Sequence, residues 1–351
     1  MRAGVISHFT RQPTGVFLAR MARKTAASSS APAARRLPAD TSALLTVRDW
    51  LRYAVSLFTA EKLFFGQGCA RAFDEAAFLI RHTLHLPHEG LETFYDARVT
   101  ASEADALRGV LERRAYGREP AAYITGEAWL GDYSFRVDRR VIVPRSYFLE
   151  LIPEELNKWL PDPEAVTSVA DVCTGSGCLA ILLAMAYPNA AVDAVDISQD
   201  ALDVAALNVE DYHFGDRIAL HQADVLDGVT PAEPYDIIIC NPPYEPESVL
   251  ETLPDEFRHE PENALVSGVD GLDVIRRLLP QAAQRLKERG VLLIEVGGLQ
   301  DAMHAEWPEL DIHWLHTADE SDCVCIIHAS ELRRLFGDSP AKPKKPAKRK
   351  A

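Results

Sequence analysis

The chain has 351 residues, more than the ~100–200 residues of a typical domain, which predicts two domains. Its composition, with 47% hydrophobic, 25% charged and 8% aromatic residues, excludes collagen-like, low-complexity and wholly disordered proteins. No apolar run approaches the ~20 residues of a membrane span. Six scattered cysteines without a secretory signal pattern do not indicate a disulfide framework. We therefore predict a cytoplasmic protein.

The net charge of −15 is unevenly distributed along the chain. Residues 1–40 carry seven Arg/Lys and one Asp, and residues 341–351 carry six Arg/Lys and no acid. The two ends together contribute +12, so residues 41–340 carry −27. A surface this acidic repels nucleic-acid phosphates and attracts basic proteins. The charge pattern favours a basic protein partner and disfavours specific DNA binding.

Both ends of the chain have the composition of disordered segments. Residues 1–41 are rich in Ser, Ala and Arg, and residues 335–351 form a basic run broken by prolines. The first segment is also typical of a mitochondrial transit peptide, which makes the mitochondrion the alternative location. Met21 is a second plausible translation start, in which case residues 1–20 would not belong to the protein.

Residues 42–118 are predicted to form a small helical domain that recognises the substrate. Apolar positions recur at three- and four-residue spacing in LTVRDWLRYAVSLFTAEKL, DEAAFLIRHTLHL and ASEADALRGVLERRAY. Asp74 is a predicted helix start, Pro87 closes the middle helix, and Thr100 with Glu103 forms a predicted capping box.

Residues 119–145 change to aromatic and β-branched alternation, in YITGEAWL and YSFRV followed by VIVP. This pattern, split by Gly131-Asp132, predicts a β-hairpin linking two domains. Residues 146–334 then alternate apolar strands with helices, which predicts an α/β domain with a doubly wound, mostly parallel sheet. The segments DIHWLHTA and SDCVCIIHA, joined without a helix, predict an antiparallel edge pair.

A glycine turn follows the first strand of the predicted sheet. In DVCTGSGCLA, Gly175, Gly177 and Ala180 fit the G-x-G-x-x-G/A pattern, in which backbone approaches a ligand closely. Asp196 ends the second strand, about twenty residues further on, where a carboxylate accepts hydrogen bonds from ribose hydroxyls. The two features predict an adenosine-type cofactor without separating a nicotinamide dehydrogenase from an S-adenosylmethionine enzyme.

The fourth strand, YDIIIC, runs directly into Asn241-Pro242-Pro243-Tyr244. Two consecutive prolines remove two backbone donors and stiffen the turn. The side-chain oxygen of Asn241 and the backbone carbonyl of Pro242 can each accept one N–H of a substrate NH2 group, which aims the nitrogen lone pair at a methyl sulfonium. Tyr244 can form an apolar wall. This chemistry needs alignment and preorganised polar groups, without a metal or a covalent nucleophile.

The N-P-P-Y tetrapeptide, together with the D-x-x-x-G-x-G loop, resembles the amino-methyltransferases, which include glutamine methyltransferases of translation proteins and DNA amino-methyltransferases. YITGEAWLGDYSFRVDRRVIVPRS and HEPENALVSGVDGLDVIRRLL are similar to the linker and the post-tetrapeptide segment of the glutamine enzymes, and the resemblance covers residues 45–330. Cys173 in place of the glycine usual in release-factor enzymes, the F-F-G-Q-G segment and V-P-R-S resemble the branch acting on the third protein of the large ribosomal subunit. Gln67 departs from the G-H-G that this branch often has.

The resemblance implies a class I, Rossmann-like fold with seven strands and S-adenosylmethionine as cofactor. It implies N5-methylation of a glutamine in the ribosomal protein during ribosome assembly. Release factors are the alternative substrates; DNA amino-methylation and a catalytically silent, cofactor-binding assembly factor rank lower. The implied target-glutamine site is residues 241–244, of which Asn241 also contacts the cofactor. Asp196 is implied to bind the ribose, and Asp224 and Val225 are implied to contact the adenine. The implied cofactor loop consists of Asp171, Cys173, Thr174, Gly175, Ser176 and Gly177.

Other candidate groups carry weaker signals. His82, His85 and His88 recur every three residues, but Pro87 interrupts the helix and neither acid nor cysteine completes a metal site. Glu295 either reaches the pocket or is a solvated strand end. Arg145 either faces cofactor or substrate, or forms a surface ion pair. The cysteines, including Cys173, are predicted to be small buried hydrophobes.

Overall fold

The computed structural model describes Leu37 and residues 41–337. The predicted disorder of the two basic ends, the transit-peptide alternative and the choice of start residue lie almost entirely outside the described residues. In the part of the chain that the structure describes, no helix combines the length and apolar composition needed to cross a membrane.

The N-terminal helical region contains three main helices, α1 (Val47–Ala60), α2 (Ala72–Thr83) and α3 (Ala101–Ala115). The predicted capping box of Thr100 and Glu103 is confirmed at the start of α3. The predicted start at Asp74 is wrong by two residues, because Asp74 lies in the first turn of α2 and pairs with Arg71 (Nε–Oδ2 2.7 Å). The helices share one core, which includes Trp50, Phe58, Leu79, Ile80, Leu107 and Leu111.

The linker is only partly a hairpin. β1 (Glu127–Leu130) and β2 (Tyr133–Arg136) pair antiparallel as predicted. The strand predicted at YIT is wrong, since a short helix, α4 (Ala121–Thr125), occupies it and ends at Gly126 in a left-handed conformation. VIVP is also not a strand; the backbone N–H of Val143 donates instead to the Glu260 carboxylate (3.1 Å).

The predicted doubly wound sheet with an antiparallel edge pair is confirmed. Seven strands run in the order β5-β4-β3-β6-β7-β9-β8, parallel from β5 to β7, with β9 antiparallel to both neighbours. Their bounds are β3 (Ser168–Val172), β4 (Ala191–Asp196), β5 (Ile218–Gln222), β6 (Tyr235–Cys240), β7 (Leu286–Glu295), β8 (His313–Leu315) and β9 (Val324–His328). All five residues of β3 and the last four residues of β6 are buried, which suits strands whose two faces are both covered.

Helices cover both faces of the sheet and complete two hydrophobic layers. They are α5 (Phe148–Leu151), α6 (Cys178–Ala186), α7 (Gln199–Asp211), α8 (Asp273–Arg285), α9 (Gln300–Glu306) and α10 (Ala329–Phe336). The last helix extends two residues into the segment predicted as a tail. Short 3₁₀ helices lie at Leu91–Phe94, Leu156–Trp159, Pro163–Ala165, Glu247–Thr252, Asp255–His259 and Glu262–Ala264.

The sheet topology creates a crevice at one edge. β3 lies between β4 and β6, so the connections after β3 and β6 leave in opposite directions along the sheet. In doubly wound sheets, ligands bind outside the carboxyl ends of the strands at such a switch point. Residues 245–270, which we call the capping segment, follow β6 and carry three of the 3₁₀ helices next to this crevice.

Candidate active site

A cleft of ≈ 290 Å³ opens at the carboxyl ends of β3, β4, β5 and β6. Its walls combine loop backbone, the three carboxylates of Asp196, Asp224 and Asp273, and apolar side chains from the capping segment. Seven of the residues predicted from sequence line it: Cys173, Gly175, Asp196, Asp224, Val225, Asn241 and Pro243. Residues about 70 positions apart in the chain are thus brought to one edge of the sheet.

Four other predicted cofactor residues lie behind the cleft and do not line it. Asp171, Thr174 and Ser176 are buried, and the Thr174 hydroxyl donates to Asp171 Oδ2 (2.6 Å). Burial raises the pKa of Asp171 to about 7. Gly177 has φ +79°, and a Cβ there would lie 3.1 Å from Ala205 Cβ of α7. These residues shape the loop and hold it against the neighbouring helix.

Asp196 ties the glycine loop to the end of β4. Its Oδ2 accepts the backbone N–H of Gly175 (2.9 Å) and its Oδ1 accepts the N–H of Ser198 (2.9 Å). Burial raises the pKa of Asp196, and these N–H donors offset part of that rise. Each carboxylate oxygen has a second lone pair, so Asp196 can still accept hydroxyl groups of a ligand in the cleft.

Asp224 lies on the opposite wall of the cleft, where its Oδ1 accepts a hydrogen bond from Arg277 Nε of α8 (3.0 Å). Asp224 is followed by a turn and not by a helix, so it does not cap a helix. Val225, the next residue, has a left-handed φ of +59°. The turn places this residue pair beside the cleft rather than on the outer surface.

The polar groups and the glycine loop of the cleft suit a cofactor that carries an adenosyl group. Asp196 supplies the acceptor that ribose hydroxyls need. Cys173 is partly exposed and lines the cleft, so the prediction of a buried hydrophobe is wrong for it. Its φ of +62° costs a non-glycine residue roughly 1–2 kcal/mol.

A second, smaller pocket adjoins the cleft. The capping segment contributes apolar side chains to it, and it is lined by Ile142, Arg145, Asn241, Pro242, Pro243, Tyr244, Glu245, Leu253, Phe257, Ala264 and Leu265. Asn241 and Pro243 line both cavities. The Tyr244 ring packs against the backbone of Gly297, where a Cβ would lie only 2.7 Å from Cε2. The tetrapeptide therefore stands between the cleft and the smaller pocket.

The amide of Asn241 has a fixed orientation. Its Nδ2 donates to the Arg145 carbonyl (3.4 Å), and it contributes to lowering the pKa of the neighbouring Glu295 carboxylate. Glu295 is only 2% exposed and also accepts from Ser146 Oγ (2.6 Å) and from the Tyr147 N–H (3.1 Å). The prediction of a solvated strand end is wrong for Glu295. With the nitrogen held from behind, Asn241 Oδ1 is left to accept a hydrogen bond.

Arg145 forms a buried ion pair and not a surface one. Its Nη1 and Nη2 donate to the two carboxylate oxygens of Glu260 (2.6 and 2.8 Å), and the guanidinium lies 5.4 Å from the ring centre of Phe257. Neither Glu260 nor Phe257 was predicted from the sequence. The segment HEPENALV that contains Glu260 gave the only signal, through its resemblance to the glutamine enzymes.

Two of the three histidines of α2 and the following turn, His82 and His88, pack against aromatic rings, and His85 is exposed. His88 stacks on Trp129 with ring centres 4.4 Å apart, and His82 lies 6.4 Å from Phe78. Among residues 41–337, no group of three His, Cys, Asp or Glu side chains is placed to hold a metal ion.

Comparison with known proteins identifies the family. The family model "Methyltransferase small domain" matches residues 154–270, and "PrmC N-terminal domain" matches residues 49–126. The ribosomal protein uL3 glutamine methyltransferase of Burkholderia pseudomallei is 49% identical, covering 83% of this chain and 97% of its own. The enzymes of the same name from Bordetella pertussis and Bradyrhizobium diazoefficiens are 48% and 42% identical. These matches cover 82% and 90% of this chain and 97% and 100% of the relatives' chains. The chain belongs to the uL3 glutamine methyltransferase family.

Family membership confirms the resemblance inferred from the tetrapeptide and from the glycine loop. A class I methyltransferase fold explains why the two motifs meet at one sheet edge, and the nicotinamide alternative no longer applies. In this methyltransferase, Asn241 is the polar residue among the four that line both cavities, the others being Ile142, Pro243 and Ala264.

Glu245 gives the methyltransferase a pH-dependent stability. The side chain is 8% exposed, and burial raises its pKa from 4.5 to about 7, an effect that Arg145 offsets only in part. The folded protein thus binds this proton more tightly than the unfolded chain, so stability is lost as pH rises from 4.5 through 7. We expect Glu245→Gln to raise the free energy of unfolding relative to the parent by up to about 3 kcal/mol more at pH 8 than at pH 4.5.

Urea denaturation at several pH values measures this difference. Glu247→Gln, which changes an exposed carboxylate two residues away, is the matched control and should show no such pH dependence. An equal effect of Glu245→Gln at both pH values would contradict the assignment.

Proposed function

We propose that this protein transfers a methyl group from S-adenosylmethionine to the side-chain amide nitrogen (N5) of a glutamine in ribosomal protein uL3, the third protein of the large subunit. One observation carries the proposal: Asn241 lines both the cofactor-sized cleft and the adjoining pocket, with its Nδ2 anchored and its Oδ1 left to accept. The names of the relatives, uL3 glutamine methyltransferases, support the substrate.

Roles for the cleft residues follow from where their polar atoms lie. Asp196 accepts the ribose hydroxyls, Asp224 and Val225 flank the adenine, and Cys173 and Gly175 form the loop against the amino-acid portion. Asp171, Thr174, Ser176 and Gly177 hold that loop in shape from behind. The bound cofactor supplies an electrophilic methyl group on a positively charged sulfur.

The smaller pocket prepares the substrate nitrogen. An amide nitrogen is a poor nucleophile because its lone pair is delocalised into the carbonyl. Asn241 Oδ1 and the Pro242 carbonyl each accept one of its N–H groups, which orients the lone pair toward the cleft and favours the pyramidal geometry of attack. Pro243 stiffens the turn, and the Tyr244 ring closes one side of the pocket. The nitrogen would form its bond to the methyl carbon as the carbon–sulfur bond breaks, which would leave the sulfur as a neutral thioether. The nitrogen would then release one N–H proton to solvent.

The chain's charge and domain arrangement support a basic protein substrate. We propose that residues 42–118 recognise it and that residues 119–145 link this domain to the catalytic domain at residues 146–334. Because the target side chain must enter a pocket, a free or partly assembled ribosomal protein is a better substrate than one packed in the finished subunit. The reaction then takes place in the cytoplasm during ribosome assembly.

Intact-mass spectrometry tests the proposal. The purified protein is incubated with S-adenosylmethionine and free uL3, and we expect one added methyl group that fragment ions place on a glutamine. A release factor and a DNA duplex serve as comparison substrates in the same assay. Methylation of the release factor in preference to uL3 would overturn the substrate assignment.

Ionic strength should affect the rate at which the enzyme and uL3 associate and not the rate of the chemical step. Residues 41–340 carry −27, and attraction between opposite charges raises association rates in a way that salt suppresses. We expect methylation of uL3 by a chain limited to these residues to slow with added salt at subsaturating substrate, with little change at saturating substrate. A flat profile at subsaturating substrate would remove the electrostatic argument for a basic partner.

A further inference from the structure

A buried carboxylate joins the helical region to the wall of the smaller pocket. Glu256 belongs to the 3₁₀ helix Asp255–His259 of the capping segment and is only 2% exposed. Its Oε1 faces three donors from the helical region: the Phe64 N–H (3.0 Å), Arg114 Nη1 (3.2 Å) and Arg118 Nη1 (3.4 Å). Residues more than 130 positions apart in the chain meet at this one oxygen.

The donors are themselves held in place by the helical region. Arg114 of α3 is 1% exposed, donates through Nε to Glu75 of α2 (2.6 Å) and donates through Nη2 to the Phe64 carbonyl (2.7 Å). Arg118 Nη2 donates to the Glu61 carbonyl at the end of α1 (2.7 Å). The position of Glu256 is therefore set by all three main helices.

The residue after Glu256 is part of the smaller pocket. The Phe257 ring lies 5.4 Å from the Phe64 ring and 5.4 Å from the Arg145 guanidinium, and it lines the pocket with Leu253 and Leu265. Arg145 in turn pairs with Glu260 and accepts from Asn241 through its carbonyl. A continuous set of contacts thus runs from the helical region to the amide that receives the substrate.

We propose that Glu256 is a positioning residue. Its contacts with the helical region fix Phe257 in the wall of the smaller pocket and, through Arg145, fix the orientation of the Asn241 amide. The inference rests on the proposed function and deepens it, since it assigns the helical region a part in aligning the target glutamine. A buried ion network is a weak source of stability compared with apolar packing of the same volume, and it is better suited to fixing geometry. The cofactor cleft makes no contact with this network through Asp196 or Asp224, whose partners are Gly175, Ser198 and Arg277.

The test compares Glu256→Gln with Asp255→Asn in the full chain. Asp255 lies on the same 3₁₀ helix but forms an exposed pair with Arg258 (3.3 Å), so it provides the same chemical change outside the network. We expect Glu256→Gln to lower kcat for the protein substrate by about tenfold, since small misplacement of a reacting group is costly, and to leave the Kd for S-adenosylmethionine within about twofold. Asp255→Asn should leave both values unchanged.

Unchanged kcat in Glu256→Gln would overturn the proposal, as would an equal loss of cofactor affinity, which indicates a general structural defect. If Glu256→Gln does not yield folded protein, Arg118→Met makes the same comparison, because Arg118 is a quarter exposed and its loss leaves the Arg114 contacts in place. A several-fold lower kcat at unchanged cofactor Kd supports the proposal, and an unchanged kcat overturns it.

Hydrogen exchange separates this inference from the proposed function. Backbone amides of residues 253–265 should exchange faster in Glu256→Gln than in Asp255→Asn, whatever the substrate is. Equal exchange in the two variants overturns the positioning role. A parent protein that methylates no ribosomal protein overturns the proposed function alone.

Discussion

Asn241→Ala is expected to lower the rate of methyl transfer by about 100-fold or more at saturating substrates. The substitution removes Oδ1, one of two acceptors that orient the substrate NH2 group, from a site where most of the acceleration comes from alignment. It also removes the donor that faces the Arg145 carbonyl and the Glu295 carboxylate. A single-turnover assay with saturating cofactor and uL3 measures the rate.

Two controls define the result for Asn241. Asn189→Ala removes an exposed amide whose Nδ2 contacts only the Glu164 carbonyl (3.4 Å), and it should leave the rate unchanged. Thermal unfolding and cofactor titration of Asn241→Ala show whether the fold and the cleft are intact. Near-normal turnover by folded Asn241→Ala would remove the assignment of the tetrapeptide as the site of chemistry.

The sequence predicted the site well where chemistry follows directly from a strand end. Gly175, Asp196 and Asn241 each lie at the end of a parallel strand or within three residues of it, and the carboxyl ends of such strands meet at one edge. For these residues, the position at a strand end, which the sequence shows, is enough to predict their position in the folded sheet. The same reasoning could not separate residues that line the cleft from those that shape the loop, such as Asp171 and Thr174, because both kinds occupy the same short motif.

Contacts between distant segments could not be predicted from sequence. Arg145 and Glu260 are separated by 115 residues, and Arg114 and Glu256 by 142, so no periodicity or spacing indicates that they pair. A charged residue is read as solvated when its partner is unknown, which is why the prediction of a surface ion pair failed for Arg145. Only the packed structure shows that Arg145 is buried and paired, so its sequence context could not reveal the ion pair.

Short segments with mixed preferences were the other source of error. YIT in residues 123–125 has the β-branched and aromatic composition of a strand, yet it forms part of α4. Ala121 and Ala122 favour the helix, Tyr123 is buried and donates to the Val141 carbonyl, and Gly126 ends the turn with φ +74°. Tertiary contacts decide the conformation of such a short run, since its periodicity does not.

Asp196→Ala is expected to weaken S-adenosylmethionine binding by about tenfold or more while lowering kcat at saturating cofactor much less. Hydrogen bonds to a charged acceptor contribute roughly 1.5–3 kcal/mol, and bonds to the ribose are equally strong before and during methyl transfer. The substitution also frees the N–H groups of Gly175 and Ser198, so part of the loss comes from a loosened loop. Asp196→Asn, which keeps one acceptor oxygen, should retain an intermediate affinity.

Calorimetric titration measures these affinities, and Asp200→Ala supplies the matched control, because Asp200 is an exposed carboxylate four residues further along, at the start of α7. If Asp196→Ala bound the cofactor as tightly as the parent, the ribose would have another acceptor. A fall in kcat as large as the fall in affinity would instead mean that Asp196 acts on the transition state. Because the Asp196 carboxylate both lines the cleft and accepts the N–H groups of Gly175 and Ser198, the ratio of the Asn and Ala affinities measures how much one remaining acceptor oxygen contributes to cofactor binding.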